Sequence, residues 1–206
     1  MNVRLVALTD LERFADPLPA LRRLCQGARA GSVGIVLRDK DAAFRTRLEL
    51  GRALRQITAE TGQRLLVADR VDLALELGAD GVHLPSAGLL PSQVERLLPD
   101  AALSRAHHDV EDLPAAELER FRILLVSPAF EARKGRPALG PDGLARRLRF
   151  LRQRAPRTTL LALGGVDAQR AQQALDAGAD GVAAIGAAHA VDEQQALLQA
   201  LGIERP

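Results

Sequence analysis

Short β-branched or apolar runs alternate along this chain with longer amphipathic stretches, and the alternation repeats eight times. Val3–Leu8 precedes a helical pattern from Pro17 to Cys25. Val33–Leu37 precedes a helix expected over Asp41–Thr61, where Phe44, Leu48, Leu50, Ala53, Leu54 and Ile57 recur at helical spacing. Leu65–Val67 leads to Val71–Leu77, and Gly81–Leu84 leads to Pro91–Leu98, with Pro91 suited to a first helical turn. The second half reads the same way: Ala101–Ser104 then Val110–Glu119, Arg122–Val126 then Asp142–Arg154, Thr159–Leu163 then Ala168–Ala177, Gly181–Ile185 then Ala190–Leu201. Alternating units of this kind imply a parallel sheet with crossover helices, and eight of them close most economically into a (β/α)8 barrel. The expected organisation is one α/β domain over residues 1–206.

Composition narrows the partners. Apolar residues make up 47% of the chain but aromatics only 2%, with no Trp or Tyr, so Leu, Val, Ile and Ala must build the core. That argues against nucleic-acid binding by stacked aromatics. The net charge of +2 is spread among acids, and the densest basic run, Arg146 to Arg154, reads as a solvated helix face. Cys25 is the single cysteine, which excludes an intramolecular disulfide and a thiolate cluster and reads as inert packing in the first helix. No run approaches the roughly 18 apolar residues of a membrane span, and MNVRLVALTD is too short in its apolar part for a signal peptide. A cytoplasmic protein is expected, with neither membrane nor nucleic acid as partner; a homo-oligomer is compatible with the sequence.

Gly78-Ala79-Asp80-Gly81-Val82 recurs as Gly178-Ala179-Asp180-Gly181-Val182, half a barrel apart. Each follows a Leu-containing helix, so the first glycine reads as a left-handed helix stop and the segment as a return into the next strand. Asp80 and Asp180 therefore belong to bottom-face turns rather than to chemistry.

In such a barrel, sites assemble from the loops that leave the C-terminal ends of the strands. Those loops hold Arg38 and Lys40, able to neutralise phosphate; Asp69, readable as a helix N-cap; and the run Ser104 to His108. They also hold Ser127–Gly140 with Lys134, then Gly164-Gly165, and finally Ile185-Gly186-Ala187. The two glycines let backbone approach a ligand, and their amides, with those of Gly186 and Ala187, can point at a phosphate. His108 and His107 read as the only histidines on a top loop, where a proton carrier near neutral pH could sit. His83 falls within a strand and His189 at the start of the last helix.

These loops, in this order, resemble the thiamine phosphate synthase and TenI family. Leu65–Ala74 is similar to the family's "IINDRVDLA", Gly78–Leu84 to "GADGVHL", Leu161–Val166 to "AIGGI", and Ala177–Ala188 to its closing phosphate loop; Arg38 and Lys40 match its "R-x-K". The resemblance implies a barrel binding a small phosphorylated thiazole or thiamine phosphate. Where the synthases carry Asn-Asp-Arg, however, this chain has Ala68, Asp69 and Arg70, and where they follow "GVHL" with Gly-Gln-x-Asp it reads Pro85-Ser86-Ala87-Gly88. Their Thr-rich loop is replaced by Phe130-Glu131-Ala132-Arg133-Lys134-Gly135. Arg105-Ala106-His107-His108, with Glu111 and Asp112 after it, is similar to the tautomerases' "R-S-V-H" element, and His108 takes the place of their catalytic histidine.

A leaving diphosphate needs a divalent cation or several cationic groups; Asp69 stands where the resemblance implies a magnesium ligand, and one carboxylate is a sparse cation site. The expected activity is therefore a TenI-like thiazole tautomerase, an isomerase without cofactor, with His108 carrying the proton. Arg38, Lys40, Lys134, Gly164, Gly165, Ile185, Gly186 and Ala187 would then hold substrate. The alternative is thiamine phosphate synthase, a transferase joining hydroxymethylpyrimidine pyrophosphate to thiazole phosphate with Mg²⁺. A non-catalytic thiamin phosphate-binding regulator is the third reading.

Overall fold

The computed structural model describes residues 2–108, 113–133 and 135–205. Eight parallel strands close into a barrel in chain order. They are β1 (Leu5–Leu8), β2 (Val33–Leu37), β3 (Arg64–Ala68), β4 (Gly81–Leu84), β5 (Ala102–His107), β6 (Ile123–Val126), β7 (Thr159–Leu163) and β8 (Gly181–Ala184). Closure comes from the first strand, whose Leu5 pairs with Val33 on one side and Val182 on the other. The helices are α1 (Leu18–Gly27), α2 (Phe44–Thr61), α3 (Val71–Glu76), α4 (Pro91–Leu97), α5 (Ala115–Leu118), α6 (Gly140–Arg154), α7 (Ala168–Asp176), α8 (Gly186–His189) and α9 (Val191–Ala200). None is long and apolar enough to cross a membrane among the described residues.

Strand periodicity divides the apolar residues into two layers. One set, including Val6, Leu8, Val36, Leu66, Ala68, Ile123, Leu125, Leu161 and Ala183, packs as a separate cluster that fills the barrel. The alternate set, such as Leu5, Ile35, Leu65, Leu124 and Leu160, packs outward against Leu21, Leu24, Leu54, Leu148 and Leu197 of the helices. Each such Leu, fully buried, contributes about 1.5–3 kcal/mol. Cys25 is buried in α1, and burial pushes its thiol up to about 12, so it stays protonated.

The repeated turns do lie at the bottom. Gly78 and Gly178 take positive φ of 54° and 99°. Asp80 accepts from the amide of Leu65 at 2.9 Å, and Asp180 from that of Leu160 at 2.8 Å, so each ties its turn to a neighbouring strand. Gly81 and Gly181 follow because there is no room for more: a Cβ would sit 2.0 Å from the carbonyl oxygen of Ala102 or Arg4.

Four segments differ from expectation. The helix expected from Asp41 starts at Phe44, since Ala43 is still extended with ψ 145°. The fifth strand runs on to His107 rather than stopping at Ser104, because His107 pairs with Val126. The helix expected over Val110–Glu119 is confined to Ala115–Leu118, with residues 110–112 outside the described residues. The single final helix is two, divided at Ala190, whose ψ of 103° breaks the helical ladder.

Candidate functional site

The ends of β1, β2 and β3 form a charged corner of the barrel mouth. Asp10, buried directly after β1, holds the Arg38 guanidinium at 3.0 Å, while the Arg38 Nε donates to the Thr9 carbonyl at 3.2 Å. Asp39 accepts from the Leu11 amide at 2.6 Å and from the Thr9 hydroxyl, which fixes the first loop against the second. Lys40 reaches across to the carboxylate of Asp69. Both cations expected to meet phosphate thus stand beside an acid, oriented but partly neutralised.

Asp69 is not the N-cap of α3. That position belongs to Arg70, and no side chain caps it. Asp69 instead takes a φ of 65°, the only positive value on a described non-glycine residue, a conformation that Asp tolerates better than most residues. Its amide donates to His83 O at 3.1 Å. One carboxylate oxygen faces Lys40; the other, Oδ1, is buried with no hydrogen-bond partner.

His83 is inward on β4 and buried, its Nδ1 2.8 Å from the Ser104 hydroxyl. Burial, then Lys40, Arg38 and His108, push it down to about 4, so it is neutral near pH 7. His108 follows β5 and its Nδ1 lies 3.3 Å from the Ser127 carbonyl, while its own carbonyl accepts from Arg147 of α6 at 2.9 Å. His107 is no top-loop residue: it ends the strand, buried, with its Nδ1 3.5 Å from Arg147. Arg147, Arg152 and Arg154 of the basic run bind the carbonyls of His108, Thr158 and Leu113, so that helix face is only partly given to solvent.

On the opposite side of the mouth, the loop after β6 interlocks with the turn after β7. Ala129 and Phe130 donate to Leu163 and Gly164 at 2.8 and 2.9 Å. Gly164 and Gly165 have φ of 115° and 64°, and a Cβ on Gly165 would lie 2.6 Å from the Glu131 Cβ. Ile185 packs on the barrel interior and precedes α8, whose first residues, Gly186 and Ala187, have amides without partners inside the helix. His189 ends α8, buried, with its Nδ1 2.7 Å from the Ile185 carbonyl and its ring stacked 4.4 Å from Phe14. Lys134, Glu111 and Asp112 lie outside the described residues.

Two further residues belong to this mouth. Arg13, in the loop after β1, lies beside Gly186, where a Cβ would be in ordinary contact with its Nη2 at 3.6 Å; nothing in the sequence marked it. Arg47 is 4% exposed and donates to the Ala68 carbonyl at 2.7 Å. A signal for Arg47 existed, because the buried face of α2 is Arg47, Leu50, Gly51, Leu54, Ile57 and Thr58, with one charge in its stripe. A cleft of about 740 Å³ lies elsewhere: it opens at the bottom beside Arg4, Arg29, Arg152 and Asp180. There Arg152 binds Asp180 and Arg4 binds the Asp180 carbonyl, an arrangement that ties strands together.

No group of three or more His, Cys, Asp or Glu side chains is placed to hold a metal among the described residues. The Asp69 Oδ1, a hard oxygen without a partner, nevertheless fits a magnesium ion of the kind held by one carboxylate, water and substrate phosphates.

The family model described as thiamine monophosphate synthase matches residues 5–188. A thiamine-phosphate synthase of Natronomonas pharaonis is 37% identical over 175 residues, covering 82% of this chain and 80% of that protein. The thiamine-phosphate synthase of Moorella thermoacetica is 35% identical over 167 residues, covering 80% and 78%. Among solved structures, a thiamine phosphate pyrophosphorylase from Pyrococcus furiosus superposes with a TM-score of 0.81 at 26% identity, covering 98% of this chain and 96% of that one. These relatives are named as thiamine-phosphate synthases and a thiamine phosphate pyrophosphorylase, which gives the isomerase expectation no support.

Proposed function

Because the chain belongs to the thiamine monophosphate synthase family, we propose that it is a transferase that joins hydroxymethylpyrimidine diphosphate to thiazole phosphate, with release of diphosphate. The observation that carries this reading is Asp69, whose Oδ1 has no partner while its Oδ2 is ion-paired with Lys40, so that a carboxylate able to hold a cation and an ammonium stand together at one corner of the mouth. A bound magnesium ion would supply charge neutralisation to the departing diphosphate.

The chain's own residues divide the remaining work. Lys40 and Arg38 approach the diphosphate from the β2 loop, and Asp10 holds the Arg38 plane in a fixed direction. Gly165, Gly186 and Ala187 offer backbone amides to the thiazole phosphate on the opposite side, with Gly164 and Ile185 setting the backbone path. The two substrates are thereby anchored by their phosphates at opposite rims, and the thiazole nitrogen meets the pyrimidine methylene over the apolar floor of Ala68, Ala106 and Leu163. His83, held neutral, adds no charge that would compete for the diphosphate.

The test is to supply both substrates with and without Mg²⁺ and to quantify thiamine phosphate. Cation-dependent product is expected, and its absence under both conditions would remove the reading. A second reading, thiazole tautomerisation, is supported by one observation: His108 directly follows β5 at the C-terminal end of the barrel, its Nδ1 3.3 Å from the Ser127 carbonyl. The same reaction mixtures report it, since tautomerised thiazole without condensation would select it.

A further inference from the structure

Arg47 is the anomaly of the fold. It occupies a position in the buried stripe of α2 that periodicity assigns to an apolar residue, and it is 4% exposed. Removing a guanidinium from water costs several kcal/mol unless its partners compensate. Here the compensation is incomplete: one bond from Nη2 reaches the Ala68 carbonyl at 2.7 Å, while Nε is buried with no partner. Burial lowers its affinity for its proton, and the Asp69 carboxylate is the strongest influence acting the other way. An apolar side chain of similar volume would avoid that cost, so a role for the charge is needed.

The geometry supplies one. The Ala68 carbonyl is the last of β3, and the next residue is Asp69 in its left-handed conformation. The turn is otherwise held by two backbone bonds, Asp69 N to His83 O at 3.1 Å and Arg70 N to Ala68 O at 2.8 Å. Arg47 therefore grips from α2 the same carbonyl that accepts from the Arg70 amide, and it places a positive charge near Asp69.

We propose that Arg47 is a positioning residue that fixes the left-handed turn at Asp69 and so aims the carboxylate into the barrel mouth. The inference rests on Asp69 being the cation ligand proposed above, and its test separates the two. Arg47→Leu, Arg47→Met and Arg47→Lys are compared with wild type and Asp69→Asn. Two readouts are used: amide hydrogen exchange at residues 69 and 70, and Mn²⁺ affinity in the presence of inorganic diphosphate, followed by paramagnetic resonance.

Arg47→Leu is expected to raise exchange at these amides at least tenfold and to weaken Mn²⁺ about tenfold, with exchange in β1 and β6 unchanged. Arg47→Lys should restore most of both, and Arg47→Leu combined with Asp69→Asn should bind Mn²⁺ no worse than Asp69→Asn alone. If Arg47→Leu gives no folded protein, Arg47→Met, closer in length, carries the same readings. Wild-type exchange and wild-type Mn²⁺ affinity in a folded Arg47→Leu or Arg47→Met variant would overturn the inference. Raised exchange with Mn²⁺ affinity unchanged in both Asp69→Asn and Arg47→Leu would support the grip on the turn and sink the cation assignment instead.

Discussion

Asp80 and Asp180 occupy the same sequence motif, yet their replacement by alanine should have unequal consequences. Asp80 accepts from the Leu65 amide at 2.9 Å, from Arg55 at 2.7 Å and from Arg64 at 2.9 Å, and its side chain is 17% exposed. Burial opposes its charge, but the Leu65 amide and the Arg64 and Arg55 guanidiniums outweigh it and leave the carboxyl below its ordinary value. Asp180 accepts from the Leu160 amide and Arg152, and its side chain is 40% exposed, so solvent screens more of its contribution. Hydrogen bonds to charged groups contribute about 1.5–3 kcal/mol each when buried. Allowing for the exposed arginines, Asp80→Ala should cost about 3 kcal/mol and Asp180→Ala about 1–2 kcal/mol. For a chain of this length about 1 kcal/mol moves Tm by roughly 2–4 °C, so losses of about 6–12 °C and 2–8 °C are expected. The stability supplied by Asp80 is present above the carboxyl's ordinary pKa and is lost as pH falls through its depressed value, so the gap between wild type and Asp80→Ala should close in acid. Thermal and urea unfolding at pH 7 and in acid measure this, alongside turnover at 25 °C. An Asp180→Ala loss equal to or above that of Asp80→Ala would refute the reasoning, as would turnover abolished by either variant while it remains folded.

Other outcomes follow from the same geometry. His83, pushed down to about 4, stays neutral where the unfolded chain is protonated. Stability should therefore be full above about pH 6.5 and fall by up to about 3 kcal/mol toward pH 4, a loss that urea unfolding should find reduced in His83→Gln. Gly181→Ala, whose Cβ would meet the Arg4 carbonyl at 2.0 Å, should cost more than about 3 kcal/mol and be recovered largely insoluble. Gly165→Ala combines a φ of 64° with a 2.6 Å contact to Glu131 and should raise the KM for thiazole phosphate about tenfold or more with a Tm change of only a few degrees.

What could be read from the residues depended on how local the cause was. The eight strands were legible because a run such as Val33–Leu37 is apolar on both faces and bounded by polar turns, which is how a strand covered on both sides must look. The glycine-aspartate turns were legible because their geometry depends on three adjacent residues. The end of β5 was not: His107 lies in the strand because Val126 pairs with it from 19 residues away. Asp69 looked like a cap because Asp before a helix usually is one, and only the bond from its amide to His83 on the next strand reveals the turn. Of the stripe read for α2, Leu50, Leu54 and Ile57 are buried as expected and Phe44 is exposed, while the buried line also takes in Arg47, Gly51 and Thr58, which an apolar pattern does not mark. Within the mouth, Arg38, Lys40, His108, Gly165 and Gly186 were named from sequence, but their pairing with Asp10 and Asp69 needed the closed barrel.

Diphosphate displacement assisted by Asp69 is the step that the assigned reaction requires. Release of diphosphate should be followed against Mg²⁺ concentration for wild type and Asp69→Asn with both substrates present. Wild type should release diphosphate in step with thiamine phosphate and only with the cation, and Asp69→Asn should lose at least a hundredfold in kcat/KM and need more Mg²⁺. Identical Mg²⁺ curves for the two proteins, or tautomerised thiazole with no diphosphate released, would contradict it.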